Sequence, residues 1–397
     1  MSESTSEEDL KELAGSYDMF ERISLTLSQP GIDATVVQAV VLQLTGAPEL
    51  ETSLGENIRG EIHFAIVSDA TANLSRFITA VDELAPQETA HLNGTNTTLA
   101  GMVGSVSGGD LTPGPLVDED ISLTLVEQLD STGTKTQDAL QQVLDAGTYS
   151  FAKANYRETV ETSGAILLGA NPKYGHFDLY EPISAQLDLT PALATGVDLP
   201  IMNIPDNASS VDSDESPLPA DMARDFLSYA RSISPELEED TVITINRFIA
   251  ASWDAITDED QPYSIGKARL KESLLRFSLA HARLRLSDRT TVGDAKRAIS
   301  LVEAVFSEIG IQTEVEAEFD ADVVETGQSK SQRDRIQNVR QMISNLEDEY
   351  DYGAPISVVI ERATELGISE SKAEHEIEKL KHRGEVFNPE DGYLRTT

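Results

Sequence analysis

Between residues 61 and 199 four short apolar runs, HFAIV, ISLTLV, GAILLGA and VDLPIMNI, alternate with segments whose apolar residues recur at helical spacing. This rhythm constrains the chain more than any other feature. Strands separated by helices are joined by crossovers, so the strands pair in parallel and the helices cover the sheet. An α/β domain with a largely parallel sheet is therefore expected over 46–205.

The flanks read differently. From Glu8 to Leu44 the spacing is helical with a break at Pro30-Gly31, which gives a helical lead-in over 1–45. PDNASSVDSDESPL (205–218) is a polar, proline-containing linker. LPADMARDFLSYARSISPEL and SIGKARLKESLLRFSLAHARLRLSD repeat near 3.6 residues, so 206–311 is assigned to the linker and a helical domain. An acidic connector over 312–330 precedes a last segment, 331–397. There, helix-like stretches over 331–347 and 354–366 are followed by ISESKAEHEIEKLKHRG, with a capping box from Ser371 to Glu374 and an apolar face of Ala373, Ile377 and Leu380. Gly384 stops that helix, and EVFNPEDGYLRTT reads as two strands around a turn. Three helices and a hairpin make a winged helix.

Charge narrows the setting. Acidic residues number 69 against 30 basic, a formal net charge of -39 with a pI near 4.3. The acids are spread along nearly the whole chain, which suits a surface kept hydrated in concentrated salt, where self-repulsion is screened over about 3 Å at 1 M. A nucleic-acid mimic, the competing reading, concentrates its charge. The absence of cysteine excludes disulfides, thiolate zinc sites and cysteine nucleophiles. MSESTSEEDL lacks the basic start and apolar core of a signal peptide, and VVQAVVLQL, among the longest apolar runs, contains two glutamines, so neither secretion nor a membrane span is expected and the cytoplasm is the expected compartment. The six histidines show no metal-ligand spacing, and no metal site is predicted.

IVSDATANLSRF (66–77) raises the functional question. An apolar run meets a small-residue turn and then a helix, the layout of a phosphate-binding loop, without the glycines and lysine that such a loop uses. Together with NIRGEIHFAIVSD, LTPGPLVDED, DALQQVLDAGTYSFAKA, LLGANPKYGHFDLYEPI, PALATGVDL, LSYAR, ARLRLSD and the ending EVFNPEDGYLRTT, it resembles the archaeal MCM replicative helicases of the AAA+ class. The phrases occur in that family's order, and ANPKYG followed by FD is the most specific. The resemblance implies an α/β AAA+-like P-loop core with a parallel sheet, a helical lid and a C-terminal winged helix. It covers the motor half; the family's N-terminal domain is not matched.

Residue by residue, the resemblance implies a site that has lost its chemistry. Across the phosphate loop only Asp69 and Ser75 match; Leu74 stands where the lysine should be, and Asn73 is the substitute able to visit the left-handed region cheaply. After ISLTLV, Glu127 and Gln128 replace an aspartate on magnesium and a glutamate base; an amide cannot take a proton from water at neutral pH. Gly196 replaces an arginine finger, a group that typically supplies about 10³ to 10⁵ in rate. Asn171 matches the family's polar sensor, Arg269 its second sensor arginine, and Lys153 its DNA-contacting hairpin lysine. Each has a plainer reading as a turn cap, an ion-pair partner or a solvated side chain.

In the winged helix Lys372, Lys379, Lys381, Arg383 and Arg395 are the candidate DNA contacts, while Glu370, Glu374, Glu376 and Glu378 on the same helix oppose phosphate, so protein contact stands beside DNA contact. The expectation is a non-catalytic accessory factor of DNA replication that binds DNA or intact MCM subunits, with no membrane partner. No working cofactor is expected; weak, uncleaved binding of ATP with magnesium stays open through Ser75, Glu127, Asn171 and Arg269. The alternative is an active ATP-dependent helicase with relaxed motifs, and no replacement lysine is found between Phe64 and Val81.

Overall fold

The structure is a computed structural model that describes residues 6–51, 57–153, 156–162, 164–177, 186, 190, 193, 196–204, 208–213, 215–256, 265–308, 343–344, 346–347, 350, 353–365, 377, 380–381, 386–389 and 392–396. Two compact units divide the chain, Met1–Ala321 and Asp322–Thr397.

The first unit begins with three helices, α1 (Glu7–Ser16), α2 (Met19–Leu27) and α3 (Ala34–Thr45). Ser6, Asp18 and Asp33 cap them, each side chain accepting a backbone N–H of the first turn. α3 is apolar around most of its circumference and is buried accordingly. Its buried amide, Gln43, ties it to the sheet by donating to the carbonyls of Ile62 at 2.8 Å and Ile166 at 3.0 Å.

A short ribbon of β1 (Leu50–Glu51) and β2 (Asn57–Ile58) leads into β3 (Phe64–Ser68), α4 (Thr71–Leu84) and β4 (Thr89–Asn93). Next come α5 (Leu99–Val103), the β5 (Gly104–Ser107) and β6 (Asp110–Pro113) hairpin, β7 (Leu123–Glu127) and α6 (Thr134–Ala146). A second hairpin, β8 (Thr148–Lys153) and β9 (Tyr156–Glu161), precedes β10 (Ala165–Ala170) and β11 (Leu199–Asn203). The central sheet runs β11-β3-β10-β7-β4 and every pairing is parallel. The four apolar runs of the sequence are its four buried strands. The fifth, β4, carries the polar sequence TAHLN at the edge. α4 packs on the sheet through Leu74, Phe77, Ile78, Val81 and Leu84, the i, i+3, i+4, i+7 stripe of an amphipathic helix.

Among the described residues four further helices follow, α7 (Ala220–Arg231), α8 (Glu239–Ile256), α9 (Lys267–Leu284) and α10 (Val292–Glu308). Charge buried between them and the sheet fixes the junction. Asp198, fully buried just ahead of β11, accepts from Arg276 through Nε at 3.0 Å and Nη2 at 2.6 Å, from Ser273 at 2.6 Å, from Arg59 at 3.1 Å and from the His63 N–H at 2.8 Å. Burial alone would push its carboxyl up; Arg276 and Arg59 hold it well below the usual carboxylate range instead. Arg59 is pushed down to about 10 by burial, against the pull of Asp198. Two further arginines satisfy the carbonyls that the end of α3 leaves without helical partners: Arg231 donates to Leu44 at 3.1 Å and Arg283 to Thr45 at 3.2 Å. Gly46 ends α3 at φ 60°, and a Cβ there would lie 2.8 Å from the Arg231 guanidinium. Glycine thus serves both the left-handed turn and the close approach.

The second unit holds β12 (Ala354–Pro355), α11 (Ile356–Glu365), β13 (Val386–Phe387) and β14 (Tyr393–Thr396). Its antiparallel sheet runs β12-β14-β13, with Val386 opposite Thr396 and Phe387 opposite Arg395. Ile343, Leu346, Ala354, Val359, Ile377, Leu380, Val386 and Leu394 form its own core. The expected hairpin around the Asn-Pro-Glu-Asp-Gly turn corresponds to β13 and β14; the helix start at Ser371 and stop at Gly384 lie outside the described residues.

Candidate nucleotide site

In open parallel sheets ligands bind beyond the carboxyl ends of the strands. Here those ends bring together Ser68 and Asn203, paired across β3 and β11, Asn93 and Glu127, paired across β4 and β7, and Asn171 just after β10. Between β3 and α4 run Asp69 and Ala70, and no side chain caps the helix.

The side chains at this edge answer one another. The Ser75 hydroxyl, on the first full turn of α4, donates to Glu127 Oε2. The other carboxylate oxygen of Glu127 lies 2.5 Å from His91 Nε2, a side chain of β4. Asn171 is held at both ends: its Oδ1 accepts from the Thr71 hydroxyl at 2.7 Å, while its backbone N–H and Nδ2 donate to Asp130 at 2.9 and 3.3 Å. Asp69 accepts from the Phe177 N–H at 3.4 Å, and Asn203 donates to Ser68 Oγ at 3.0 Å. The groups that a phosphate or a hydrated metal would engage are thus committed within the chain.

Leu74 is turned inward, 5% exposed, against the backbone of β10; a Cβ on Gly169 would meet Leu74 Cδ2 at 3.3 Å. Leu74 is part of the core. Asn73, the residue able to visit the left-handed region, does not use that freedom. It lies within α4, its Oδ1 accepts from Arg76 at 3.4 Å, and the left-handed residue of this edge is Gln128, at φ 54°. The helix starts at Thr71, so its hydrogen bonds already fix the Asn73 backbone, whereas Gln128 stands where β7 must turn sharply into the 3₁₀ turn Leu129–Ser131. There β4 crosses tightly: a Cβ at Gly94 would sit 2.1 Å from the Gln128 carbonyl oxygen, so only glycine fits.

A second grouping lies on the lid side. Arg269, in the first turn of α9, donates to the carbonyl of buried Gly196 at 2.7 Å, so the position matched to the arginine finger and the one matched to the second sensor touch each other. Lys153 ends β8 opposite Tyr156, at the turn of its hairpin. In the second unit Arg395 is exposed and Lys381 half-buried; Lys372, Lys379 and Arg383 lie outside the described residues. Sequence reasoning missed His91, Thr71 and Asp130, which carry no motif of their own. Among the described residues no cluster of three or more His, Cys, Asp or Glu side chains is placed to hold a metal, and no helix is long and apolar enough to cross a membrane.

A parallel five-stranded sheet flanked by helices, with a strand-turn-helix at β3 and α4 and a helical lid behind it, defines the α/β core of a P-loop protein of the AAA+ class. Residues 6–216 match the MCM P-loop domain and residues 221–306 the MCM AAA-lid domain, and the chain belongs to the MCM family. It is 23% identical to the minichromosome maintenance protein MCM of Saccharolobus solfataricus over 96% of this chain and 60% of that protein. It is 28% identical to the DNA replication licensing factor MCM7 of Arabidopsis thaliana over 75% and 45%, and 27% identical to an uncharacterized MCM-type protein of Methanocaldococcus jannaschii over 90% and 51%. The chain spans roughly half the length of these relatives.

The residues at this edge do not fit magnesium-ATP. A working loop needs a lysine reaching the β and γ phosphates, a hydroxyl free for the metal, and an acid free beside it. Leu74 supplies no charge, and the Glu127 carboxylate already accepts from the Ser75 hydroxyl on one oxygen and lies 2.5 Å from His91 Nε2 on the other.

Proposed function

We propose that this chain is a non-catalytic MCM-family factor of DNA replication, acting by binding DNA or intact MCM subunits. The observation that carries the reading is the burial of Leu74 beneath a site whose polar groups, Ser75, Glu127 and Asn171, are satisfied from within. Gln128 in place of a base and Gly196 in place of a finger extend the same loss to the attacking water and to a neighbour's site. A subunit of this kind entering a ring would silence the site at which its Gly196 is presented. The second unit, read as a winged helix, is the candidate contact with DNA or protein through Arg395 and Lys381, with Lys153 as a channel contact when rings form. The spread acidic charge supports a salt-rich setting.

The experiment is calorimetry with ATP and ADP, with magnesium and in molar KCl, alongside phosphate release and helicase assays of an intact MCM ring with this chain added. No turnover, and a ring rate that falls as this chain is incorporated, are expected. Turnover by the chain alone, or co-purification with an unchanged ring rate, overturns the reading.

A further inference from the structure

Glu127 is the acid at the place where a metal would be held, and it already has two partners. Ser75, from α4, takes one carboxylate oxygen and His91, from β4, the other, at 2.5 Å. An ionised carboxylate only accepts, so the His91 Nε2 carries a proton and donates it. The two partners come from opposite sides. α4 follows β3, two strands away from β7 in the sheet, whereas β4 is the edge strand directly paired with β7. Glutamate, one methylene longer than aspartate, reaches across to both. The carboxylate is only 13% exposed, and His91, 40% exposed, covers it from the solvent side.

We infer that His91 has taken the divalent cation's place beside Glu127, so that any nucleotide this edge accepts is accepted without a metal. The inference rests on the reading of the site as non-catalytic and adds a residue that holds it so. A hydrated cation seated here would contact the Ser75 oxygen and stand next to Glu127. Ser75, donating to Glu127, keeps its oxygen lone pairs, so the obstacle is His91: its imidazole N–H presents a donor, which repels a cation, where the metal's water would lie. His91 is therefore a specificity-determining residue: it excludes metal from an acid that the fold keeps.

The test is a Mn²⁺ titration of the full chain followed by electron paramagnetic resonance, in molar KCl to suppress binding by the acidic surface. Four proteins are compared: wild type, Glu127→Ala, His91→Val and the double variant. Valine suits an edge strand, and circular dichroism melts check that each variant folds; His91→Leu replaces it if His91→Val does not. Wild type and Glu127→Ala are expected to bind Mn²⁺ alike, and His91→Val to gain one site about tenfold tighter than that background, a gain lost again in the double variant. A wild type that already holds one Mn²⁺ more than Glu127→Ala, or a His91→Val protein with no gain, overturns the inference. Phosphate release by wild type with Mg²⁺-ATP is measured separately; turnover there defeats the non-catalytic reading whatever the manganese result.

Discussion

Two polar regions of this molecule, the carboxyl edge of the sheet and the junction between sheet and lid, have been treated in opposite ways. At the junction full charges lie deep in the protein and every one has a reason: Asp198 binds Arg276, Arg59, Ser273 and a backbone N–H, while Arg231 and Arg283 close the end of α3. At the sheet edge charge is sparse, and Leu74, Gln128 and Gly196 carry none. What remains is small hydrogen-bonded sets around Glu127 and Asn171. The buried ion pairs of the junction hold one particular arrangement of lid on core. A chain that only needed to fold would replace such pairs by apolar residues at little cost.

The comparison breaks most directly at Asp198. Asp198→Ala leaves Arg276, 1% exposed, with only the outward-lying Glu272 carboxylate at 3.8 Å, and a loss of about 3–5 kcal/mol in unfolding free energy is expected, read from urea unfolding in molar KCl. A loss below about 1 kcal/mol would place the junction among weak surface pairs. The companion variant Asp198→Ala with Arg276→Met should recover much of the loss, since the cost comes from the stranded charge.

Next in size is the attempt to restore the phosphate loop. Leu74→Lys puts an ammonium into a core position against Gly169 and Ile78, and should cost about 2–4 kcal/mol without giving phosphate release. A variant as stable as wild type, its lysine reaching solvent, would mean the loop is still shaped for its former residue.

A pH-dependent effect lies between the two regions. Burial, with Asp33 nearby, pushes the Glu308 carboxyl well above its ordinary value, while a bond from Thr35 pulls the other way. An acid whose folded-state pKa is raised holds its proton more tightly when folded. Stability therefore falls as pH climbs from the unfolded value near about 4.3 through the folded one, and the full penalty applies above it. Glu308→Gln should melt with wild type near about pH 4 and increasingly above it at higher pH. A melting difference that does not grow with pH refutes the assignment.

The fold was legible where its physics is local. Strands buried in a parallel sheet read as continuous apolar runs, so β3, β7, β10 and β11 stand out, and α4 shows its stripe. β4 was missed because an edge strand needs no apolar run, and TAHLN carries only the marks of a polar loop. The hairpin β8–β9 shows no apolar run either, and only the resemblance, through Lys153, pointed to it. At the candidate site the chain order of the motifs located Ser75, Glu127 and Asn171. Their partners His91, Asp130 and Thr71 are set by strand order and register, which no local pattern encodes. The junction was illegible altogether, because Arg59, Asp198 and Arg276 are brought together only by the tertiary fold. Asn73 is able to visit the left-handed region by residue type, but the helix begins two residues earlier and fixes it in helical conformation.

The smallest effect sharpens the comparison from the other side. Ser75→Ala removes one hydrogen bond to a carboxylate that keeps His91, at a site open to water, so the unfolding free energy should change by less than about 1 kcal/mol. Asp198→Ala removes five bonds at once from a place water does not reach. If the two variants cost the same, burial is not what separates the regions, and the hydrogen-bonded edge would be as firmly built as the ionic junction. A large cost at Ser75 with an intact fold would further mean that α4 depends on Glu127 for its position, making Glu127 a structural pin of the sheet edge.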